Sequence, residues 1–274
     1  MDKVCYLNGE FTLEKEASVP IADLGLTRGY GIFDFFRTYN GKPFLIERHL
    51  KRFSDAANKL AIPVPKCSDD IEKIVLALIQ ENNLKEAGIR LIITGGISSD
   101  GFSPGVPNFI ITATPLPDYD PNCWLEGISI MTHDFQRVFP EIKSNNYLTA
   151  IHLQAKRKQE NAFDILYTHE GKILEMTRGN FFLFKGNTLY TADSNILKGC
   201  TRNFVLELAE NHFEIYQGDV WQDDLSDADE AFMTGTTKKI MPVVTVDGLP
   251  VGDGYVGENT KKLMELFAQA TAAH

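Results

Sequence analysis

The sequence lacks the features typical of membrane, secreted and nucleic-acid-binding proteins. Its longest purely apolar run is six residues, 74–79, far below the roughly 20 that a membrane-spanning helix needs. Residues 1–11 show no signal-peptide core. The 27 Lys and Arg residues form no basic block, and the 37 Asp and Glu residues leave a net charge of −10, which disfavours binding to nucleic acid or to anionic lipid. We therefore expect a cytoplasmic protein with neither a nucleic acid nor a membrane as partner.

Cysteine and several catalytic motifs are also scarce or missing. The four cysteines are widely spaced without a CxxC pair, and the six histidines have no metal-ligand spacing, so we expect no disulfide framework and no metal site. No Walker A loop, HExxH pair or GxSxG elbow occurs. The segment 252–257 matches the letters GxGxxG, but it follows a turn rather than a buried strand. We interpret it as a hairpin followed by the start of a helix.

What remains is the composition of an ordinary globular chain, with 43% hydrophobic residues among 274. Apolar residues recur at helical spacing over 46–60, which predicts an amphipathic helix. Ser68 and the two aspartates after it predict the cap of a second helix that ends near Leu84. Strands are expected at 89–94 and 108–114. The first part of the chain therefore indicates an α+β domain.

A stretch rich in Pro, Asp and Asn, 115–122, is the best candidate for a linker. It divides the chain into an N-terminal α+β domain, 1–118, and a C-terminal domain, 119–274. We expect the C-terminal strands at 128–132, 164–168, 181–184, 188–191, 230–234 and 243–246, with helices at 145–161, 201–212 and 258–272. Because these elements do not alternate as βαβ units, they indicate a barrel-like or mixed sheet.

Four short segments carry chemically informative residues, and each also has a structural interpretation when it is taken alone. Lys143 fits a surface lysine, and Glu175 fits a carboxylate at a strand end. The amides after Gly199 fit either an ordinary helix start or an anion site. Thr236 and Thr237 fit either a turn cap or donors to a phosphate.

Together and in this order, these segments resemble the fold-type IV pyridoxal-phosphate enzymes, which are class IV aminotransferases and their relatives. That family includes branched-chain aminotransferases, D-amino-acid aminotransferases and aminodeoxychorismate lyase. The resemblance covers nearly the whole chain, from Tyr6-Leu-Asn-Gly-Glu-Phe11 to the C-terminal helix. It implies a two-domain α+β fold with an N-terminal α/β sandwich-like domain and a C-terminal barrel-like domain. It also implies pyridoxal 5′-phosphate (PLP) held between the domains and a homodimer with its active site at the subunit interface.

The resemblance assigns roles residue by residue. Lys143 matches the catalytic lysine, to which the cofactor is covalently attached and which then moves the substrate proton. Glu175 matches the carboxylate that faces the pyridine nitrogen and keeps it protonated. Arg52, three residues after His49, matches the arginine that binds the phosphate, although by itself it also fits a solvated helix cation.

The remaining cofactor residues follow from the same match. The backbone amides of Cys200 and Thr201, with the hydroxyl of Thr236 and its neighbour Thr237, match the rest of the phosphate site. Tyr147 lies close enough in sequence to Lys143 to reach the cofactor O3′.

The substrate segment departs from both well-known patterns. Phe33 stands where the bacterial D-amino-acid enzymes have a carboxylate-binding tyrosine, and no Arg-x-His pair occurs around 99–102. Arg28 stands where branched-chain enzymes have a tyrosine from the neighbouring subunit, and Arg90 matches their strand arginine. Because a guanidinium binds a carboxylate through two parallel hydrogen bonds, we predict that Arg28 and Arg90 replace the missing carboxylate site. An exposed loop arginine and a structural ion pair are the alternative interpretations.

The sequence thus predicts a PLP-dependent transaminase that transfers an amino group from a D-amino acid, such as D-alanine or D-glutamate, to a 2-keto acid such as 2-oxoglutarate. An L-branched-chain aminotransferase and an aminodeoxychorismate lyase remain the alternatives within the family. A non-enzymatic binding protein on the same scaffold is a further alternative, which the joint presence of Lys143, Glu175 and Arg52 disfavours.

Overall fold

The computed structural model describes residues 2–274, and the chain divides into two compact units. The first unit contains the chain up to Pro117, the segment 142–147 and His274. The second unit contains 118–141 and 148–273. The short segment around Lys143 therefore belongs to the first unit although it follows the proposed linker in sequence.

The first unit is an antiparallel sheet covered by helices. The sheet has the strand order β2-β1-β6-β5-β3-β4. Its strands are β1 (Val4–Leu7), β2 (Glu10–Leu13), β3 (Gly31–Tyr39), β4 (Lys42–Pro43), β5 (Gly88–Thr94) and β6 (Phe109–Thr114). Its helices are α1 (Leu24–Thr27), α2 (Ile46–Lys59) and α3 (Ser68–Glu81).

Alternation along β3 decides which side chains enter the core of this unit. Ile32 and Phe36 are completely buried in one hydrophobic cluster with residues of α2 and α3, whereas Phe33 and Phe35 point to the opposite face of the sheet. The predicted cap of α3 is wrong in one detail. The N-cap residue is Cys67 and makes no side-chain cap, although Asp69 and Asp70 occupy the first turn, where they interact favourably with the helix dipole.

The second unit is strand-rich. Its strands are β7 (Ile128–Asp134), β8 (Asp164–His169), β9 (Lys172–Met176), β10 (Gly179–Lys185), β11 (Thr188–Ala192), β12 (Glu214–Gly218), β13 (Val220–Trp221), β14 (Glu230–Gly235), β15 (Lys239–Val246) and β16 (Leu249–Pro250). Its helices are α4 (Asn122–Leu125), α5 (Leu148–His152), α6 (Gln154–Gln159), α7 (Cys200–Ala209) and α8 (Glu258–Ala272), with a 3-10 turn at Gln222–Leu225.

Six strands of the second unit close into a barrel. They run in the order β10-β14-β15-β7-β8-β9, and β9 pairs again with β10. The pairs of β7 with β8 and with β15 are parallel, and the remaining pairs in the ring are antiparallel. Apolar side chains from these strands form a buried core. The predicted α+β class with a barrel-like C-terminal part is therefore confirmed.

The predicted helix over 145–161 is wrong in extent. Residues 142–147 instead run alongside β3, where Asn145 N–H donates to the Gly31 carbonyl at 3.0 Å. This pairing delays the helical segment, which then consists of the short helices α5 and α6. The interpretation of 252–257 is confirmed for the helix start, because Gly257 is the N-cap of α8, whereas the hairpin of β15 and β16 lies just before this segment. No helix within residues 2–274 has both the length and the apolar character of a membrane span.

Candidate active site

Three predicted site residues of the first unit lie around the aromatic ring of a fourth, Phe33. The Nζ atom of Lys143 lies 4.5 Å from the centroid of the Phe33 ring. The Cζ atom of Arg90 lies 5.4 Å from the same centroid, and the Tyr147 ring lies 5.6 Å from it. Phe33 thus brings together an amine, a guanidinium and a phenol on one face of the sheet.

The backbone explains how Lys143 reaches this ring. Phe33 N–H donates to the Lys143 carbonyl at 2.9 Å, and Ser144 forms an isolated bridge with Ile32. The short segment therefore continues the sheet beside β3 without forming a regular strand. Ile142 is buried in the core of the first unit, which fixes the segment at its beginning.

Arg52 belongs to a second cluster, built on the neighbouring residue of β3. Its Nε and Nη2 atoms donate to the two oxygens of Asp34 at 2.9 and 2.8 Å, and His49 Nδ1 lies 2.7 Å from Asp34 Oδ1. Asp34 is completely buried. Burial alone would raise its pKa, but Arg52 and His49 outweigh burial and hold the pKa of this carboxyl well below its usual range. Arg52 is therefore a fixed, charge-paired residue rather than a solvated helix cation.

Glu175 is the buried carboxylate of the second unit. It lies in β9 with 5% of its surface exposed. Arg137 Nε donates to its Oε1 at 2.7 Å, and the backbone N–H of Leu197 donates to its Oε2 at 3.0 Å. Two donors on different oxygens fix both the position and the orientation of the carboxylate.

The same strand pair holds the start of α7, where Cys200 and Thr201 lie. Asn180 is paired with Glu175 across β10 and β9. Its side chain donates to the Leu197 carbonyl at 2.8 Å and accepts from Gly199 N–H at 3.2 Å. A side chain at Gly199 would meet Asn180 Oδ1 at 2.4 Å, so this close approach requires glycine. The first turn of α7 contains no acidic residue and has no side-chain cap, which leaves its positive end suited to an anion.

Thr236 and Thr237 lie in the turn between β14 and β15, next to these groups. Asn180 faces Thr234 across β10 and β14, so the turn that begins at Gly235 lies at the same edge of the barrel. The Tyr119 hydroxyl is 3.2 Å from Oγ1 of Thr237. The second unit therefore gathers the Glu175 carboxylate, the helix end and two threonine hydroxyls.

Arg28 contacts residues other than Phe33, Arg90, Lys143 and Tyr147. It is the C-cap of α1, its Nη1 donates to the Thr27 carbonyl at 2.9 Å, and its side chain is exposed beside Gly101.

Sequence reasoning missed three side chains that hold the predicted site residues. Asp34 and His49 were visible as neighbours of assigned residues, and the spacing of His49 and Arg52 on one helix face was the available signal. Arg137 lies 38 positions before Glu175 in irregular chain, where no local pattern indicates its partner.

Comparison with known proteins identifies the family of the chain. Residues 31–246 match the model of the family described as amino-transferase class IV. A protein of Methanocaldococcus jannaschii named "Putative branched-chain-amino-acid aminotransferase" is 36% identical over 274 residues, which cover 96% of this chain and 94% of that protein. The D-alanine aminotransferase of Listeria monocytogenes (strain 10403S) is 29% identical over 273 residues, which cover 96% of this chain and 94% of the enzyme.

A solved structure is also similar to this chain. The branched-chain amino acid aminotransferase of Escherichia coli superposes with a TM-score of 0.91 at 28% identity, covering 98% of this chain and 94% of that one. The chain belongs to the class IV aminotransferase family. It is an aminotransferase whose cofactor is PLP and whose substrates are amino and keto acids, which confirms the reaction class and the cofactor expected from the sequence.

The side chains present are chemically suited to PLP. The cofactor has an aldehyde, a basic ring nitrogen and a phosphate dianion. Lys143 offers a primary amine, Glu175 offers a buried anion that is already held by two donors, and the uncapped start of α7 offers backbone N–H groups. Each reactive part of the cofactor therefore has a chemically complementary group in this chain.

Proposed function

We propose that this aminotransferase transfers the amino group of a D-amino acid, such as D-alanine or D-glutamate, to a 2-keto acid such as 2-oxoglutarate. The observation that carries the proposal is that the Arg90 guanidinium and the Lys143 amine both lie over the Phe33 ring, with Cζ and Nζ 5.4 and 4.5 Å from its centroid. A cation at the ring that also contacts the catalytic amine suits a substrate carboxylate better than a purely aliphatic pocket does.

Lys143 is the proposed catalytic residue. Bound PLP supplies the electron sink that lets the α-hydrogen of an amino acid leave as a proton. The Nζ of Lys143 then takes that proton from the substrate Cα and delivers it to C4′ of the cofactor. The Phe33 ring contacts the amine, and the Tyr147 ring packs against Phe33.

Glu175 is proposed to hold the positive charge of the ring nitrogen. Its own charge is fixed by Arg137 and by the Leu197 N–H. A carboxylate and a protonated nitrogen about 4 Å apart attract by on the order of 4 kcal/mol at an effective dielectric near 20. Because Arg137 and the Leu197 N–H orient Glu175, this attraction needs little reorganisation.

The phosphate is proposed to bind to the remaining cofactor residues. Arg52, oriented by Asp34, contributes a cation. The backbone amides of Cys200 and Thr201 and the hydroxyls of Thr236 and Thr237 donate hydrogen bonds. Tyr147 is proposed to contact the cofactor O3′.

The second substrate arginine is proposed to come from the partner of a homodimer. Arg28 is exposed in a part of the first unit that also exposes large apolar side chains, and such a patch is typical of a protein interface. Four of these side chains are 69–84% exposed: Ile21, Leu26, Phe102 and Val106. In a cytoplasmic homodimer assembled through this patch, Arg28 would lie at the edge of the partner's active site.

The half-reaction tests the substrate assignment. Purified, PLP-loaded enzyme is mixed with D-alanine, D-glutamate, L-leucine or aminodeoxychorismate in separate cuvettes without keto acid. We expect the visible band of the bound cofactor to disappear with the D-amino acids and to persist with L-leucine. Loss with L-leucine alone would overturn the proposed stereochemistry.

Mixed dimers test the two arginines. Arg90→Ala should raise the apparent KM for amino or keto acid by about 30-fold, which corresponds to about 2 kcal/mol for a lost charge pair. A mixed dimer of Arg28→Ala and Lys143→Ala subunits contains one complete site only if Arg28 acts in the partner. We expect that dimer to show turnover with the low KM of the native enzyme, which neither parent dimer has. Failure to regain it, in a dimer verified by mass, would return Arg28 to its own subunit or to the surface.

A second candidate function is that of an L-branched-chain aminotransferase. It is favoured by the Methanocaldococcus jannaschii relative at 36% identity, which is named as a putative branched-chain-amino-acid aminotransferase. The lyase reaction is the third outcome of the half-reaction experiment, in which aminodeoxychorismate would release pyruvate while the visible band persists.

A further inference from the structure

A buried ion pair lies beneath the turn that carries Thr236 and Thr237. The next residue, Lys238, is only 2% exposed, and its Nζ lies 3.8 Å from Oδ2 of Asp164, which is also 2% exposed. Lysine is almost never buried without a partner, because removing an ammonium from water is costly. A buried lysine in a turn between two strands therefore indicates a specific structural task.

The ion pair connects the turn to a distant part of the barrel. Asp164 is the first residue of β8, which lies two places from β15 in the strand order. Its Oδ1 accepts hydrogen bonds from Ile165 N–H at 2.8 Å and from the Thr177 hydroxyl. Asp164 is therefore a fixed anchor, and the Lys238 side chain connects the turn to it.

Two aromatic side chains hold the same turn at other points. Trp124 Nε1 donates to the carbonyl of Lys238 at 3.0 Å, and the Tyr119 hydroxyl contacts Thr237. The Tyr119 and Trp124 rings meet edge to face with centroids 6.0 Å apart. Tyr119 lies in the segment that the sequence suggested as a linker, so this segment also supports the turn.

The turn has little room to adjust. A side chain at Gly235 would lie 3.1 Å from the Arg178 carbonyl. Burial lowers the pKa of the Lys238 ammonium to about 8, Asp164 opposes this shift, and the nearby charge of Arg178 adds to it. Asp164 offsets the charge of Lys238, and Arg178 adds a positive charge near the turn.

We propose that Lys238, anchored by Asp164, is a positioning residue for the cofactor phosphate, which fixes the turn so that the Thr236 and Thr237 hydroxyls meet the phosphate oxygens. This inference rests on the proposed phosphate role of the two threonines. Lys238 itself is too buried to contact the phosphate, so its effect passes through the turn.

The test compares cofactor binding with and without the phosphate group. Apoenzyme is titrated with PLP and with pyridoxal, which lacks the phosphate, for Lys238→Met, Lys238→Arg and the control Lys185→Met. Lys185 pairs with Asp224 at 2.6 Å in the same unit, at the end of β10 away from the turn. We expect Lys238→Met to raise the Kd of PLP roughly tenfold, the size of one hydrogen bond to a charged group, and to leave the Kd of pyridoxal unchanged.

Two further variants keep the test decisive. Lys238→Arg should restore at least part of the PLP affinity, and Lys185→Met should change neither Kd. If Lys238→Met fails to fold, Lys238→Met combined with Asp164→Asn replaces it, because that pair leaves no unpaired buried charge. An equal loss of PLP and pyridoxal binding, or no loss of either, would overturn the inference.

The threonines separate this inference from the function on which it rests. Thr236→Val with Thr237→Val should weaken PLP but not pyridoxal, and should shift the ³¹P resonance of the bound cofactor. If this variant binds PLP normally, the proposed phosphate role of the threonines fails. If it weakens PLP while Lys238→Met changes nothing, the phosphate role stands and only the inference about Lys238 is lost.

Discussion

The two units each contain a buried ion pair, and the pairs balance burial against charge in opposite ways. In the first unit, Arg52 and His49 lie within 2.7–2.9 Å of Asp34 and hold its pKa well below the usual range despite complete burial. In the second unit, burial prevails over the single 3.8 Å contact between Lys238 and Asp164 and lowers the lysine pKa to about 8. The number and length of the contacts decide whether burial or the partner charges determine the direction of the pKa shift.

A third pair indicates that a short contact is a feature of local geometry and is not confined to the first unit. Arg137 and Glu175 lie in the second unit, yet their contact is 2.7 Å and a backbone N–H occupies the other oxygen. The two short pairs hold residues with a proposed role at the cofactor, whereas the long pair lies beneath a turn. Short pairs with two donors on the carboxylate thus fix its position, whereas the long pair leaves the pKa of its lysine lowered by burial.

The largest expected effect comes from a residue outside all three pairs. Lys143→Ala should abolish turnover and leave the stability almost unchanged, because the Nζ contact with the Phe33 ring contributes at most about 1 kcal/mol. Steady-state assays and calorimetry measure the two effects. Lys73→Ala, a change at an exposed lysine of α3, serves as the control and should leave both unchanged. Normal turnover of Lys143→Ala would refute its catalytic role.

Glu175→Gln tests whether the short pair of the second unit fixes a functional charge. An amide cannot accept hydrogen bonds from both Arg137 and Leu197 without turning its own NH₂ group towards a donor, and it carries no charge. We expect kcat to fall by roughly 100-fold, as for the loss of one preorganised electrostatic group. Stopped-flow measurement of the half-reaction isolates this step.

Glu230→Gln is the matched control for that change. Glu230 also accepts two backbone hydrogen bonds in the second unit, from Asn259 and Thr260 at the start of α8. Its replacement should lower stability slightly and leave the half-reaction unchanged. Equal rates for the two variants would remove the special role of Glu175.

Asp34→Asn breaks the short pair of the first unit. It leaves Arg52 and His49 without their anion, so we expect a loss of about 3 kcal/mol in the free energy of unfolding at pH 7 and a weaker affinity for PLP. Asp55→Asn, on the same helix as Arg52, removes only an exposed pair with Lys51 and should cost less than about 1 kcal/mol.

Acid titration sharpens the same comparison. Because the pKa of Asp34 is lowered from 3.8, the folded state binds fewer protons than the unfolded state, and the carboxylate stabilises the fold above about pH 4. The stability difference between the native enzyme and Asp34→Asn should therefore be constant above that pH and shrink as the pH falls further. Urea unfolding of the apoenzymes between pH 3 and 7 measures it, and a constant difference down to pH 3 would contradict the assigned pKa.

Elements with strong local patterns could be predicted from the sequence. The apolar spacing of 258–272 predicted α8 over the same residues that form it, and 46–60 predicted α2 to within one residue. The strand β3 was missed, because its residues were interpreted only as a substrate segment. The helix at 145–161 failed because 142–147 pair with β3, a long-range contact that no local period reveals.

The candidate site divides in the same way. Lys143, Glu175 and the Gly199-Cys200-Thr201 start of α7 stand in short ordered motifs, so their positions could be predicted. The buried ion pairs, in contrast, join residues that are 18 to 74 positions apart in the sequence. These pairs are Asp34 with Arg52, Glu175 with Arg137, and Asp164 with Lys238. In the sequence Lys238-Lys239 suggests a solvated turn, and only the closed barrel makes one of these lysines buried.

The smallest expected effect is a pH dependence that distinguishes the long pair from the short ones. Lys238 has a folded pKa of about 8 against an ordinary value of 10.5, so between these values the unfolded state binds more protons and stability should rise with pH. Its contribution should increase by about 1 kcal/mol between pH 8 and pH 9. The difference in the free energy of unfolding between native apoenzyme and Lys238→Met with Asp164→Asn measures this rise. Parallel profiles for the two proteins would mean that Lys238 does not titrate between pH 8 and pH 9. The long pair would then differ from the short pairs in contact distance but not in the response of its stability to pH.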